Sequence, residues 1–100
     1  MARPIYKMFR ARWTDAWYAL SQEERAGLTA KVDAALERAG GKRVLLCDSS
    51  WASEEWSGFG VEVFPDIEAV QQHAQDLGAM NWYRYLDSKS ILGTEWQPPV

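Results

Sequence analysis

Cysteine and histidine are almost absent: Cys47 and His73 are the sole examples of each in 100 residues. One thiol excludes an internal disulfide, and its place beside Val44-Leu45-Leu46 predicts a buried, inert side chain. One His and one Cys also argue against a zinc site built by the chain alone. Basic residues are not in excess, since the net charge is -3, so the basic stripe of a nucleic-acid surface is missing. No window approaches the ~20 apolar residues of a membrane span, and the N-terminus lacks a signal-peptide pattern. A cytoplasmic protein with no nucleic-acid or membrane partner is the expectation. Prolines number four, and Gln97-Pro98-Pro99-Val100 cannot continue a central strand, which predicts a tail. The length fits one domain, 1–100, with little room for a second core.

What the chain does have is tryptophan, six residues at positions 13, 17, 51, 56, 82 and 96. A small core cannot easily bury six indoles, so some are expected to line a pocket or an interface. Around them the apolar pattern switches between periods of two and 3.6. Ile5 to Trp13 reads as a first strand, with Arg10 and Arg12 on the face opposite Phe9 and Ala11. Thr14 to Leu20 reads as a loop carrying two exposed aromatics, Trp17 and Tyr18. Ser21-Gln22-Glu23-Glu24 is a capping box, and Leu28, Val32, Ala35, Leu36 and Ala39 form the stripe of the first helix up to Gly40-Gly41. Arg43 to Trp51 gives a second strand, with Val44-Leu45-Leu46 as its apolar heart.

Gly58-Phe59-Gly60-Val61-Glu62-Val63-Phe64 is the organising strand, expected to pair with the second as a hairpin. Its Phe59, Val61 and Val63 row reads as the core face. The opposite row, Gly58, Gly60, Glu62 and Phe64, sets a carboxylate beside two positions without side chains, on an open face shared with Arg10 and Arg12. Glycine there invites a close approach by a ligand or another backbone. Asp66 caps a second helix, Ile67 to Leu77, whose stripe is Ile67, Val70, Ala74 and Leu77. At ~100° per residue His73 falls about 80° from the centre of that stripe, a boundary position. Gly78 reads as its stop. Met80 to Tyr85 is a dense aromatic segment leading to a fourth strand, Leu86 to Leu92. The order β-α-β-β-α-β is that of a ferredoxin-like α+β fold: a four-stranded antiparallel sheet with two helices on one face.

Several residues suit chemistry. His73 titrates near neutrality when unperturbed, which fits a general acid/base or an axial ligand, or else a surface residue at the helix edge. Glu62 reads either as a pocket base raised by burial or as an interface carboxylate paired with Arg10 or Arg12. Asp48 is a weaker version of the same idea. Tyr83 and Tyr85, alternating with Arg84 on a strand, present two hydroxyls to one side for an oxyanion or a phenolic substrate, or pack in an interface. Trp51, Trp56 and Trp82 are candidate stacking walls for a flat ligand, with Gly60 leaving it space. Ser49-Ser50 has neither a neighbouring His nor a nucleophile-elbow pattern, so a hydrolase is not indicated.

The chain resembles the dimeric α+β barrel superfamily. The carrying residues are Trp17-Tyr18-Ala19-Leu20-Ser21-Gln22-Glu23-Glu24, Gly60 to Asp66, and Trp82-Tyr83-Arg84-Tyr85 followed by Gly93-Thr94. More faintly it is similar to small barrel proteins of prodiginine-type and other aromatic natural-product pathways. The resemblance implies a homodimer joined sheet to sheet, with a pocket between sheet and helices in each half. It also implies a choice among cofactor-free monooxygenases, cyclases, isomerases and haem-degrading enzymes. The haem-degrading branch has its axial ligand on the second helix, where His73 lies, and uses an Asn on the first strand, which is missing here. The first expectation is therefore an enzyme of bacterial secondary metabolism needing no metal or cofactor. It would act on a hydrophobic, aromatic intermediate by cyclisation, condensation, isomerisation or oxygenation. Catalysis would fall to His73, Glu62, Tyr83 and Arg10, and binding to Trp51, Trp56, Trp82, Tyr85, Arg12, Asp48 and Gly60. Haem bound through His73 is the alternative, and a non-catalytic ligand carrier or interaction module the third.

Overall fold

A computed structural model of the chain describes residues 3–97, so Pro98, Pro99 and Val100 of the expected tail lie outside the described residues. The elements run β1 (Ile5–Trp13), a short α1 (Asp15–Tyr18), α2 (Gln22–Arg38), β2 (Lys42–Asp48), β3 (Gly58–Phe64), α3 (Ile67–Ala79), a 3₁₀ turn (Trp82–Arg84) and β4 (Leu86–Gly93). The strands form one antiparallel sheet in the order β2-β3-β1-β4. With α2 and α3 packed on one side, this is the ferredoxin-like α+β fold.

Local chemistry sets the helix boundaries. Ser21 accepts from the Glu24 amide at 3.1 Å while Glu24 accepts from the Ser21 amide at 2.9 Å, closing the capping box at the start of α2. Gly40, at φ 74, ends that helix in the left-handed region that favours glycine. Asp66 accepts from the Ala69 amide at 2.8 Å and starts α3, which runs through Gly78 and stops only at Met80. The Tyr83–Tyr85 segment is not a strand. Asn81, at φ 56, turns the chain into the 3₁₀ turn, which removes the alternation that would have put both hydroxyls on one side.

The covered face of the sheet is the reverse of the one expected for β3. Glu62 and Phe64 are buried beneath the helices, whereas Phe59 is 43% exposed on the far side. Alternation says which residues share a row, not which row is covered. The pairing decides it: Lys7, Phe9 and Ala11 of β1 lie opposite Glu62, Gly60 and Gly58. Arg10 and Arg12 do point to the open side, so they do not share it with Glu62. On β2 the supposed apolar heart is exposed at Val44, Leu45 and Leu46, and Cys47 is half-buried rather than buried.

The core is split. One cluster gathers Trp17, Val32, Leu77 and Trp82, and the other Leu36, Phe64 and Val70. Trp17, expected to be exposed, is buried because its ring stacks on Trp13 at 3.8 Å, with Trp82 edge-on to both. Each such aromatic pair contributes about 0.5–1.5 kcal/mol beyond its buried area. Thr14 ties this corner shut, donating from its hydroxyl to the Arg84 carbonyl at 2.7 Å and from its amide to the Tyr85 carbonyl at 3.1 Å.

Candidate functional site

The buried face of α3 runs Val70, His73, Leu77. Val70 belongs to one core cluster and Leu77 to the other, so His73 stands on the helix where the two do not meet. It is the centre of the buried face, not its boundary, and is 2% exposed. Its ring packs against Phe64 at 5.2 Å. Neither Nδ1 nor Nε2 has a hydrogen-bond partner among the described residues. Burial, reinforced by the charge of Lys7, lowers its pKa to about 4, so the imidazole is neutral across the physiological range.

Beside it, between the helices and the sheet, opens a cavity of about 730 Å³. This lies within the ~300–1,000 Å³ of sites that enclose a small-molecule ligand. Its apolar wall includes Phe9, Trp13, Val32, Leu77, Trp82 and Leu86. A polar seam crosses it. Asp33 of α2 holds the Arg43 guanidinium at 3.0 Å, and Arg43 reaches Glu62 at 3.6 Å. Glu62 is 5% exposed, and burial raises its pKa while Lys7 and Arg43 pull the other way. Tyr83 lies at the border of the same cavity, its hydroxyl pushed up by burial and by Glu62.

The expected site residues divide into two groups. His73, Glu62, Tyr83, Trp82 and Asp48 border this cavity. Asp48 is exposed there, its carboxyl held low by hydrogen bonds from Ser50, so it behaves as a turn-forming acid. Arg10 and Arg12 lie on the open face of the sheet, over the Trp56 ring at 5.0 and 5.2 Å. Arg12 also meets Asp87 at 3.5 Å and Glu55 at 3.8 Å. Trp51 is 84% exposed and Tyr85 packs into the indole cluster. Gly60 does not border the cavity, because Phe9 and the Leu45 carbonyl take the space beside it.

Lys7, Arg43 and Asp33 also border the cavity. The sequence carries a signal for Lys7: it shares a row with Phe9 and Ala11, on the face opposite Arg10 and Arg12. A charge in a covered row needs a reason. Arg43 and Asp33 had no such signal, because their meeting depends on how α2 lies over β2.

At the level of sequence no family profile and no curated protein matches the chain. The likeness to natural-product barrel proteins is therefore unsupported. The fold does have solved counterparts. Two variants of chlorite dismutase from Candidatus Nitrospira defluvii superpose with TM-scores of 0.76 and 0.73 at 15% and 19% identity. They cover 98% and 94% of this chain but only 42% and 41% of their own. The chain thus spans about two fifths of those proteins. A protein of unknown function from Rhodopseudomonas palustris matches over 98% of this chain and 86% of its own, with TM-score 0.67 and 18% identity. These similarities establish a shared ferredoxin-like α+β fold of the kind found in chlorite dismutase. Among the described residues no helix is long and apolar enough to cross a membrane, and no group of three or more His, Cys, Asp or Glu is placed to hold a metal ion.

Proposed function

We propose that the helix–sheet cavity binds a flat, largely apolar ligand, and that haem held by His73 is the ligand it suits best. The observation that carries this reading is the imidazole: buried, neutral and unpartnered at both nitrogens beside a cavity of about 730 Å³. Buried polar atoms are rarely left unpaired, and one that is calls for a ligand or a function. A neutral imidazole is also the form that ligates a metal centre. Indole and aliphatic walls suit a macrocycle, while Lys7 suits its acidic edge. Bound there, haem would supply ligand-exchange or redox chemistry at iron. The chain's part is to provide the nitrogen donor, exclude water and hold Glu62 near the bound group. The Asn implied for haem degradation has no counterpart on β1, whose covered row is Ile5, Lys7, Phe9, Ala11 and Trp13. Binding or transfer of haem is therefore favoured over its degradation.

Titration of the apo chain with haem tests this. A Soret band shifted from that of free haem and saturating near one haem per chain is expected, and lost in His73→Ala. An unshifted band, or the same shift in the variant, overturns the assignment. One observation favours a second reading, a cofactor-free enzyme. Glu62, its pKa raised by burial, and Tyr83 border the same cavity, an arrangement that suits proton transfer on an aromatic substrate. His73, proton-free at neutral pH, would then not be the acid. Saturable binding of a colourless aromatic ligand without any Soret shift supports that reading instead.

We further propose that the working unit is a homodimer joined through the open sheet face. Tyr6, Met8, Leu45, Phe59 and Ile91 are all exposed there, each to between 37% and 65%. That is an apolar patch of the kind that marks an interface. Its composition, rather than the buried Glu62, is the motive for pairing. Equilibrium sedimentation at micromolar concentration should give twice the mass of 11.4 kDa. A stable monomer would count against it, and Met8→Glu should shift a dimer towards monomer.

A further inference from the structure

Two cations border the cavity, and they are not equivalent. Arg43 is tied at both ends, to Asp33 and to Glu62. Lys7 enters no ion pair among the described residues, although it stands directly across from Glu62 in the strand register. It is half-buried near the start of β1, in the covered row between Ile5 and Phe9. Its stem can lie along that apolar row while the ammonium turns into the cavity. An ammonium partly withdrawn from water, in range of the Glu62 charge but directly paired with no carboxylate, gains from a ligand anion within hydrogen-bond reach.

We infer that Lys7 anchors a carboxylate on the cavity's ligand, which makes that ligand an aromatic or polycyclic acid rather than a neutral hydrocarbon. The inference rests on reading the cavity as a ligand site, not on the ligand being haem. Glu62 does not take this role from the ligand, because Arg43 already occupies it. The apolar walls hold the ring system and Lys7 fixes which end of it points towards β1. This is the division of labour usual in small-molecule sites.

The test compares 2-naphthoate with its neutral analogue 2-naphthamide by calorimetry on the full chain. The acid should bind roughly 10- to 100-fold more tightly than the amide, as expected for a charge-assisted hydrogen bond. Lys7→Met should abolish that preference while still binding both probes, and Lys7→Arg should keep it. The Arg variant also guards against a Met variant that fails to fold. Equal binding of acid and amide to the unaltered chain, or an undiminished preference in Lys7→Met, overturns the anchor alone. Binding of neither probe overturns the ligand-site reading and the anchor with it. A missing Soret shift with the acid preference intact removes haem and leaves the anchor standing.

Discussion

Gly60→Val is expected to leave little folded protein. A Cβ at this position would lie 2.7 Å from the Leu45 carbonyl oxygen and 2.8 Å from Phe9 Cζ. Phe9 can rotate at a cost, but the carbonyl belongs to the β2–β3 ladder just past the register shift between Arg43 and Leu45. Moving it breaks sheet pairing. From the sequence alone one expects valine here to fill ligand space and spare the fold. The structure reverses that expectation. Overpacking against a backbone atom costs on the order of 3 kcal/mol, a large part of the stability of a domain this small. Urea unfolding measures it. Gly27→Ala, in α2 with nothing within 4 Å of the added carbon, is the control and should stabilise by about 0.5–1 kcal/mol. A Gly60→Val chain with an unchanged midpoint would mean that β2 is free to move away from β3.

His73→Leu is expected to do the opposite: to abolish ligand binding while leaving the neutral-pH fold intact or firmer. Leucine fills similar space and removes two orphaned polar atoms, a replacement that is often neutral or stabilising. The pH dependence carries the sign. His73 titrates at about 4 folded, against an ordinary value of 6.5. Between those values the unfolded chain binds the extra proton. Stability is therefore full above pH 6.5 and lost as the pH falls towards 4, by roughly 3 kcal/mol from this residue. Glu62 contributes with the other sign, since its raised pKa lowers stability as pH rises above its ordinary 4.5. The variant should lose the His73 share of the acid limb and keep the Glu62 slope. Thermal unfolding at pH 7.5 and pH 4.5 compares the two chains. A variant several kcal/mol less stable at pH 7.5 would show that the ring serves packing and not a ligand.

Much of this fold was legible because local signals agreed. The bounds of β1, the Ser21 capping box and the Asp66 cap follow from alternation and from the unpaired amides of a helix start. The faces were harder. Counting Ile67 and Ala74 into the α3 stripe moved its centre away from His73, yet both are exposed and the buried line is Val70, His73, Leu77. On β3 the apolar row Phe59, Val61, Val63 reads as a core row, but alternation does not say which of the two rows the helices cover. Trp17 looked exposed because its partner Trp13 sits across a turn, and such stacking leaves no periodic trace. Glu62 and His73 could be named as candidates one at a time. That they border a common cavity depends on how α3 crosses the sheet, which no window of residues encodes.

The exposed Val44-Leu45-Leu46 segment has a cost unrelated to ligands. β2 is an outer strand of the sheet, so one row of its amides and carbonyls has no neighbouring strand. The side chains of these three residues are 48–59% exposed. A short run of β-branched and aliphatic residues with no proline on such an edge is a template for fibril growth. The chain restrains it in two ways: Lys42 and Arg43 on one side and Asp48 on the other repel an identical strand laid parallel and in register, and the irregular register around Val44 keeps the edge from presenting a continuous ladder. Removing that irregularity, with the core still intact, is the change that would make this protein prone to amyloid.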